Sequence, residues 1–354
     1  MTINYSTISL FLLTLFVFAG CMKDDEWMAR HQSETLPSAE GVFIVNEGNF
    51  MYGNASLSFY DPVKRIVQND IFYSANGLPL GDVAQSMVIQ NNLGYIVINN
   101  SGKIYVINTL DGKYVGKITG LTSPRYIHFV NPDKAYITDL YAGQITIVNP
   151  KSYQIIGVII TTGHASTEQM VQWNDFLFVS CWSFDNTILV IDTRTDSIVD
   201  EIKTGKQPGG LVLDKYNKIW TLCDGGWSKN GTTSRIPMLQ RIDPATRTIE
   251  KSFSLTADAK PSRLTINGRM DTLVFLNNGI WKLGVNQSIL DDHPFLSTQN
   301  HLYYSLAIDP NTSELYLSDA IDYLQRGLIY RYSPLGAKID SFKTGIIPGS
   351  FCFK

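Results

Sequence analysis

The chain has 354 residues, of which 44% are hydrophobic and 17% charged, with a formal net charge of -3. This composition is typical of a globular protein and excludes disordered and fibrous chains. The chain has a slightly negative net charge rather than the excess of basic residues that nucleic-acid binding requires, so neither DNA nor RNA is an expected partner. The four cysteines, at positions 21, 181, 223 and 352, have no CxxC spacing, which excludes a disulfide framework and a zinc ribbon.

The first twenty residues have the features of an export signal. Residues 8–18 form an apolar run that is too short to span a bilayer but suits the centre of a signal peptide. The sequence Phe18-Ala19-Gly20-Cys21 resembles a bacterial lipobox, although Phe18 stands where Leu is usual and no Lys or Arg precedes the apolar run. We therefore predict cleavage before Cys21 and lipidation of its thiol, with a plain secretory signal as the alternative.

Residues 21–40 are polar and have no clear period, so they are predicted to be a flexible lipidated tether. In the segment 22–26, MKDDE, a lysine is followed by acidic residues, which resembles the surface-export signal of Bacteroidota lipoproteins; a merely solvated tether is the alternative. The predicted organisation is a signal peptide over 1–20, a tether over 21–40 and a folded body over 41–354. The body is expected on the outer surface of the outer membrane, held by its lipid anchor alone.

The folded body repeats one unit. Short β-branched and aromatic runs alternate with turn signals, and no stretch keeps a 3.6-residue period long enough for a core helix, which predicts an all-β body. Apolar strand starts recur every 40 to 53 residues, at Met87, Ile127, Met170, Leu211, Leu264, Leu306 and Phe351. A strand also runs into a turn in six units, at Asp61, Asn108, Asn149, Asp192, Asp243 and Ser333; the segment 281–284 lacks this side chain. Such a period is typical of β-propeller blades.

The strand count predicts seven blades and a particular ring closure. The last segment, 350–354, matches only the first strand of a unit, whereas residues 41–72 supply only the later three. Pairing the two completes one blade from both termini and leaves no unpaired edge. We therefore predict a seven-bladed β-propeller in which the C-terminal strand completes the N-terminal blade. The alternative, an elongated β-solenoid, usually has shorter rungs and needs capped ends.

The sequence lacks the common catalytic motifs HExxH, GxGxxG, GxSxG and the P-loop, so the protein is not expected to be an enzyme. His128 lies in a strand and is interpreted as a core histidine. His164 and Glu168 have HxxxE spacing, but a loop gives them no shared face on which to bind a metal. Cys181 and Cys223, near the ends of equivalent strands, are expected to be free buried thiols.

One face of a propeller carries both the loops that enter each blade and the loops between its second and third strands. Exposed aromatic rings in these loops gain little unless a ligand covers them, which makes Phe50, Tyr52, Trp182 and Trp227 candidate contacts. The alternative is that these rings only cap the blades. The loop 224–237 gives the fifth blade its extra length, and such insertions usually carry function.

The segments 46–50, NEGNF, and 53–61, GNASLSFYD, together with DGG at 224–226, resemble the YncE-like surface propellers of Bacteroidota. The similarity covers essentially the whole mature chain. The best-understood branch of that family is the vitamin B12-binding surface lipoproteins of the BtuG type. The resemblance implies a protein that captures cobalamin or another corrinoid, covers an outer-membrane TonB-dependent transporter and passes the ligand to it. It implies no cofactor other than the bound corrinoid.

A corrinoid has an apolar macrocycle edge, a rim of amides and a nucleotide tail, and it therefore needs aromatic surfaces surrounded by hydrogen-bonding groups. The side chains expected to pack on it are Tyr52, Trp182, Phe184 and Trp227. Those expected to bond its amides or phosphate are Asn49, Arg125, Gln207 and Arg263. His164 and His301 lie in loops from which cobalt ligation is conceivable, but tight binding does not require it.

Two other functions stay open. A metal-dependent lactonase or hydrolase would hold an ion in the central channel, with Glu47, Asp139 and Asp224 as candidate ligands, although inner positions such as Val88 and Val212 offer none. The other is a protein-interaction propeller on the cell surface, including a lid over a different transporter. Metal content tests the first function, and small-molecule titration tests the second.

Overall fold

The computed structural model describes Leu36 and residues 40–226, 235–298 and 301–354. The predicted lipidation site Cys21, the signal peptide, most of the tether and the candidate ligand contact Trp227 lie outside the described residues. Among the residues that are described, no helix has the length and apolarity that crossing a membrane requires.

Seven antiparallel sheets of four strands each form the blades of a β-propeller, as the repeat predicts. The strands of the first four blades in chain order are β1 (Val42–Asn46), β2 (Ser56–Asp61), β3 (Ile66–Gln68); β4 (Ala84–Gln90), β5 (Leu93–Ile98), β6 (Lys103–Asn108), β7 (Tyr114–Ile118); β8 (Pro124–Asn131), β9 (Lys134–Asp139), β10 (Gln144–Asn149), β11 (Gln154–Ile160); β12 (Thr167–Trp173), β13 (Phe176–Cys181), β14 (Thr187–Asp192) and β15 (Ser197–Lys203). The remaining strands are β16 (Pro208–Leu213), β17 (Ile219–Cys223), β18 (Met238–Asp243), β19 (Thr248–Ser254); β20 (Ser262–Ile266), β21 (Thr272–Leu276), β22 (Gly279–Gly284), β23 (Leu296–Ser297); β24 (Tyr303–Ile308), β25 (Leu315–Asp319), β26 (Arg326–Tyr332), β27 (Lys338–Ile346); and β28 (Pro348–Phe353).

The ring closes through the C-terminal strand, which confirms the prediction. Strand β28 pairs antiparallel with β1, so that Val42 lies opposite Phe353 and Ile44 opposite Phe351. The resulting sheet has the order β28-β1-β2-β3. The first strands of neighbouring blades contact each other all the way round, which places β4, β8, β12, β16, β20, β24 and β28 around the central channel.

The core lies between the blades. Second and third strands are buried along almost their whole length because both of their faces meet a neighbouring blade, and they are accordingly rich in β-branched residues, as in TILVID of β14. Outermost strands alternate between exposed and covered positions, as β15 and β19 show. Aromatic side chains fill the wider spaces between blades, and Phe43 and Phe59 pack edge to face at 4.9 Å.

In six blades, the polar residue at or just after the end of the third strand closes the turn that follows. Asn149 Oδ1 accepts from the backbone N–H groups of Lys151 and Ser152 at 2.9 and 3.1 Å. The side chains of Asp61, Asn108, Asp192 and Asp243 likewise accept from the N–H two residues on, and Ser333 Oγ accepts from Ala337 N, four residues on. The sixth unit lacks this polar residue, and there Gln287 Oε1, from three residues further on, accepts from Gly284 N at 2.5 Å. The turn therefore needs an acceptor, and a downstream residue can supply it.

One short helix departs from the all-β prediction. Residues 41–72 were expected to be strand as far as Phe72, but β3 ends at Gln68 and a helix, α1 (Ile71–Asn76), follows. The left-handed conformation of Asp70 breaks the strand, and the helix buries Phe72 against Tyr105. Leu36, in the segment predicted to be flexible, is also buried, and its N–H donates to the carbonyl of Leu110 at 2.9 Å.

Candidate functional site

A cavity of about 370 Å³ opens where the first strands converge at the mouth of the channel. Its position follows from an irregularity that all seven blades share. Each first strand shifts register against the second strand near its own second residue, which marks a β-bulge. A bulge turns its side chain out of the regular alternation, in these blades towards the channel mouth. The second residues form a ring: Gln85, Arg125, Glu168, Gly209, Arg263, Tyr304 and Gly349.

Six members of this bulge ring line the cavity, all except Gly349. The place of the missing seventh side chain is filled by Glu47, since a Cβ added to Gly349 would lie 2.1 Å from Glu47 Oε1. At the other glycine, Gly209, an added Cβ would lie 3.7 Å from the ring of Trp182. The absence of a side chain at Gly349 therefore admits the Glu47 carboxylate to the ring, whereas the Trp182 indole lies at ordinary contact distance from the Gly209 position.

Arg125 and Glu168 form one buried pair in the cavity wall. Arg125 Nε donates to the two carboxylate oxygens of Glu168 at 2.8 and 3.0 Å, and Nη1 donates to Gln85 Oε1 at 2.5 Å. The side chains of Arg125 and Glu168 are only 18% and 6% exposed. Three consecutive blades thus place one fixed group of donors and acceptors at the cavity.

Glu47, Arg263 and Tyr304 form a second group in the same wall. The Tyr304 hydroxyl donates to Glu47 Oε2 at 2.8 Å, and Arg263 Nη2 lies 3.8 Å from Glu47 Oε1. Arg263 Nε donates to the Tyr304 carbonyl at 3.1 Å, and its guanidinium lies over the Tyr304 ring at 5.0 Å. The guanidinium is therefore held between a carboxylate and an aromatic face.

The charges of the two groups depend on each other. Burial raises the pKa of Glu47 above its usual value, and Arg263, the Tyr304 hydroxyl and Arg125 oppose that rise. Burial likewise raises the pKa of Glu168, and Arg125 and Arg263 oppose it. Each acid thus relies on the arginines to stay ionised, and a ligand that engages a guanidinium changes the environment of both acids.

Trp182 is fixed at the cavity by its indole N–H. Nε1 donates to Asp224 Oδ2 at 2.9 Å, and the other oxygen of Asp224 accepts from Gly226 N at 2.7 Å. Burial raises the pKa of Asp224, whereas its bonds to Trp182 and Gly226 lower it. The indole therefore presents a preorganised aromatic edge to the cavity.

Exposed aromatic residues lie on other loops of the same face. Tyr52 is 79% exposed and Phe184 is 81% exposed, and neither lines the cavity. Phe50 and Met51 are also exposed, at 65% and 77%. Such a concentration of apolar side chains is typical of a surface that a ligand or partner covers.

One family model matches most of the chain. Residues 40–319 match the family described as a domain of unknown function, DUF5074. The chain belongs to the DUF5074 family. No curated protein matched the sequence.

Several solved structures share the fold of this DUF5074 propeller at low identity. A quinonprotein alcohol dehydrogenase-like protein from Bacteroides thetaiotaomicron is 15% identical with a TM-score of 0.69, and the match covers 90% of this chain and 79% of that one. The periplasmic gluconolactonase PpgL from Pseudomonas aeruginosa is 10% identical with a TM-score of 0.65, covering 89% and 98%. Hydrazine synthase from Kuenenia stuttgartiensis is 14% identical with a TM-score of 0.60, covering 76% and 89%. At these identities the likeness shows the fold alone.

The structure brings some of the predicted ligand contacts together and separates others. Arg125, Trp182 and Arg263 line the cavity. Asn49 does not line it, because its side-chain amide donates to the Tyr323 carbonyl at 2.6 Å. Gln207 does not line it either and is only 5% exposed.

None of the histidines in the described part of the chain lines the cavity. His164 contacts Asp185 and Glu201 rather than Glu168, so the HxxxE spacing forms no pair. His301 Nδ1 lies 3.0 Å from Asp319 Oδ2, and the ring packs against tyrosines. His128, interpreted from the sequence as a core histidine, is partly buried, and its Nε2 lies 2.9 Å from Gln172 Oε1.

The three acids named for a channel metal do not form one ligand cluster. Asp139 accepts from the backbone N–H groups of Ser123 and Tyr141, while Glu47 and Asp224 have the partners given above. In the described part of the chain, the one group of three or more His, Cys, Asp or Glu residues close enough to share an ion lies elsewhere.

Proposed function

We propose that this propeller is a non-catalytic, surface-exposed lipoprotein that captures a corrinoid, such as vitamin B12, at its channel mouth. It would pass the ligand to a TonB-dependent transporter of the outer membrane. The observation that supports a binding role is the bulge ring together with Glu47, which gather two guanidinium groups, an amide, a tyrosine and two carboxylates around one cavity. The lipobox at Cys21 and the resemblance to surface propellers of Bacteroidota support the location and the cargo.

The chemistry of the site suits a large ligand with a polar rim. A cavity of about 370 Å³ lies near the lower end of the range of roughly 300–1,000 Å³ for small-molecule sites. A corrinoid would therefore insert one edge and lie across the mouth. Its amides can accept from Arg125 and Arg263 and donate to Glu47, while Trp182 and the exposed rings of Tyr52 and Phe184 cover the macrocycle edge.

The test is a titration of the purified full chain in detergent with cyanocobalamin, followed by tryptophan fluorescence and heat, with a heme and a siderophore in parallel. Tight stoichiometric binding of cyanocobalamin alone is the expected result. Binding of heme or of the siderophore instead would show that the ligand belongs to that class and is not a corrinoid. Absence of binding by all three would withdraw the corrinoid proposal and favour a protein-interaction surface.

Two aromatic variants form a matched pair for this titration. Tyr52→Ala removes an exposed ring from the proposed face, and Tyr216→Ala removes a 49% exposed ring from a loop on the opposite face. We expect the dissociation constant for cyanocobalamin to rise about 5- to 30-fold for Tyr52→Ala, the range of an ordinary interface contact, and to stay unchanged for Tyr216→Ala. Equal effects of the two substitutions would contradict the assignment of the face.

A further inference from the structure

A second group of chemically reactive side chains lies outside the cavity, in the fourth blade. His164 comes from the loop before β12, Cys181 ends β13, and Asp185 lies in the loop between β13 and β14. One potential ligand atom of each residue lies within 4.8 Å of the other two. His164 is 9% exposed, Cys181 has no exposed surface, and the side chain of Asp185 is 14% exposed.

We propose that His164, Cys181 and Asp185 bind a zinc ion. An imidazole nitrogen, a thiolate and a carboxylate oxygen form a mixed ligand set that suits Zn²⁺ and does not suit Mg²⁺ or Ca²⁺, which prefer oxygen alone. Bond lengths of about 2.0–2.3 Å place the ligand atoms of a tetrahedral site roughly 3.3–3.8 Å apart. Side-chain adjustments of about 1 Å bring this group to that geometry, with water in the fourth position.

The surroundings of His164 match those of a metal-binding histidine. Nδ1 faces Asp185 Oδ2 at 2.6 Å, and Nε2 faces Glu201 Oε1 at 3.3 Å. A zinc-bound imidazole usually donates its second N–H to a carboxylate, which fixes the tautomer and orients the ring. Glu201 is the carboxylate in this position, and Lys203 Nζ donates to the other oxygen of Glu201 at 2.9 Å. The two anionic ligands balance the ion, and Lys203 balances Glu201.

The neighbouring blade shows what an equivalent cysteine does without this arrangement. Cys223 ends β17 as Cys181 ends β13, but its thiol contacts Gln240 Oε1 at 3.8 Å. Cys223 therefore offers a matched control for Cys181. A nucleophilic role for Cys181 is unsupported, because a substrate cannot reach a thiol without exposed surface.

Zinc at this place would fix a loop of the ligand-binding face. Trp182 and Phe184 lie between the ligands Cys181 and Asp185, and the Asp185 carbonyl accepts from Gln207 N at 2.8 Å. An ion bound at both ends of this loop would limit the motion of the Trp182 indole at the cavity. The metal site itself does not depend on the nature of the cavity ligand.

The experiment titrates the metal-free full chain with Co²⁺ as a spectroscopic probe and then with Zn²⁺. We expect one equivalent of Co²⁺ with the visible absorption of a tetrahedral site and a thiolate-to-cobalt charge-transfer band, both lost on adding Zn²⁺. Cys181→Ser is expected to abolish the charge-transfer band, whereas Cys223→Ser keeps it. Absence of the band in the unmodified chain, or its equal loss in both variants, would overturn the proposal.

Two less disruptive variants cover the case in which Cys181→Ser fails to fold. Asp185→Asn, at a partly exposed loop position, is expected to lower zinc affinity while circular dichroism stays unchanged. Glu201→Gln is expected to keep the stoichiometry and weaken zinc binding about 10- to 100-fold, as loss of a histidine-orienting carboxylate does. Unchanged zinc affinity in both of these variants would contradict the site, whatever the behaviour of Cys181→Ser.

Discussion

Arg125 and Glu168 show how a binding site at the channel mouth depends on paired charges. A carboxylate as buried as that of Glu168 is stable only while a donor faces it. Arg125 gives it two hydrogen bonds and simultaneously orients Gln85. The same side chains that would bind a ligand therefore contribute to the stability of the ring.

Replacement of Arg125 tests this dependence. We expect Arg125→Ala to lower the free energy of unfolding by about 3–5 kcal/mol, because it leaves a buried carboxylate without its partner. The double variant Arg125→Ala/Glu168→Gln is expected to recover much of that loss, as measured by urea unfolding. Lys151→Ala, in an ion pair with Asp133 whose side chains are both 65% exposed, is the control and should change little. A loss no larger than that of the control would contradict the argument.

More of the residues that line the cavity can be located from the sequence repeat than from the loops alone. Arg125 and Arg263 were predicted as ligand contacts, and the structure places them, with Gln85 and Tyr304, at the second residue of a first strand. In six of the seven blades the bulge-ring residue stands two positions before the repeated apolar residue, so the ring can be read from the repeat. Glu47 could not be found in this way, since it enters the ring only because Gly349 has no side chain.

At the scale of single elements, the polar residue after each third strand acts as a turn acceptor. Asn149 accepts two backbone N–H groups, and an aspartate at the equivalent place of β14 or β18 makes the same kind of contact. The amide and the carboxylate are therefore interchangeable at this position, whereas an alkyl side chain leaves the turn without its acceptor.

Two substitutions of Asn149 separate the turn from general surface effects. Asn149→Ala is expected to lower the free energy of unfolding by about 0.5–1.5 kcal/mol, the net contribution of a hydrogen bond, as measured by thermal and urea unfolding. Asn149→Asp keeps the acceptor and should retain nearly full stability. The idea fails if Asp and Ala destabilise the protein equally.

Short elements were harder to predict from the sequence than strands of the core. The helix α1 has only six residues, too few for a 3.6-residue period to be recognised. Its formation depends on tertiary contacts, among them the packing of Phe72 on Tyr105 and the bond from Asn76 Nδ2 to the Gly112 carbonyl at 3.0 Å. Packing partners of this kind come from a neighbouring blade and are not visible in the local sequence.

At the scale of the whole molecule, the fold was predictable because one unit recurs. Each blade buries its faces only against its neighbours, so the number of units and the shared blade at the termini determine a closed ring. Side-chain contacts outside the repeat, such as that between His164 and Glu201, depend on residues that differ from blade to blade. The repeat therefore predicts the scaffold and the bulge ring but not the metal-binding group.

Removal of the last strand tests the closure. Deleting residues 348–354 exposes the edge of β1. It also removes the rings of Phe351 and Phe353, whose centroids lie 6.1 and 5.4 Å from the centroid of the Tyr316 ring. We expect the truncated chain to unfold at a lower temperature and less cooperatively than the full chain, as seen by calorimetry, and to self-associate through the open edge, as seen by size-exclusion chromatography. Adding the peptide 348–354 in excess should restore the melting temperature, whereas the same residues in scrambled order should not. A truncated chain that stays monomeric and melts like the full chain would show that closure by β28 does not stabilise the ring.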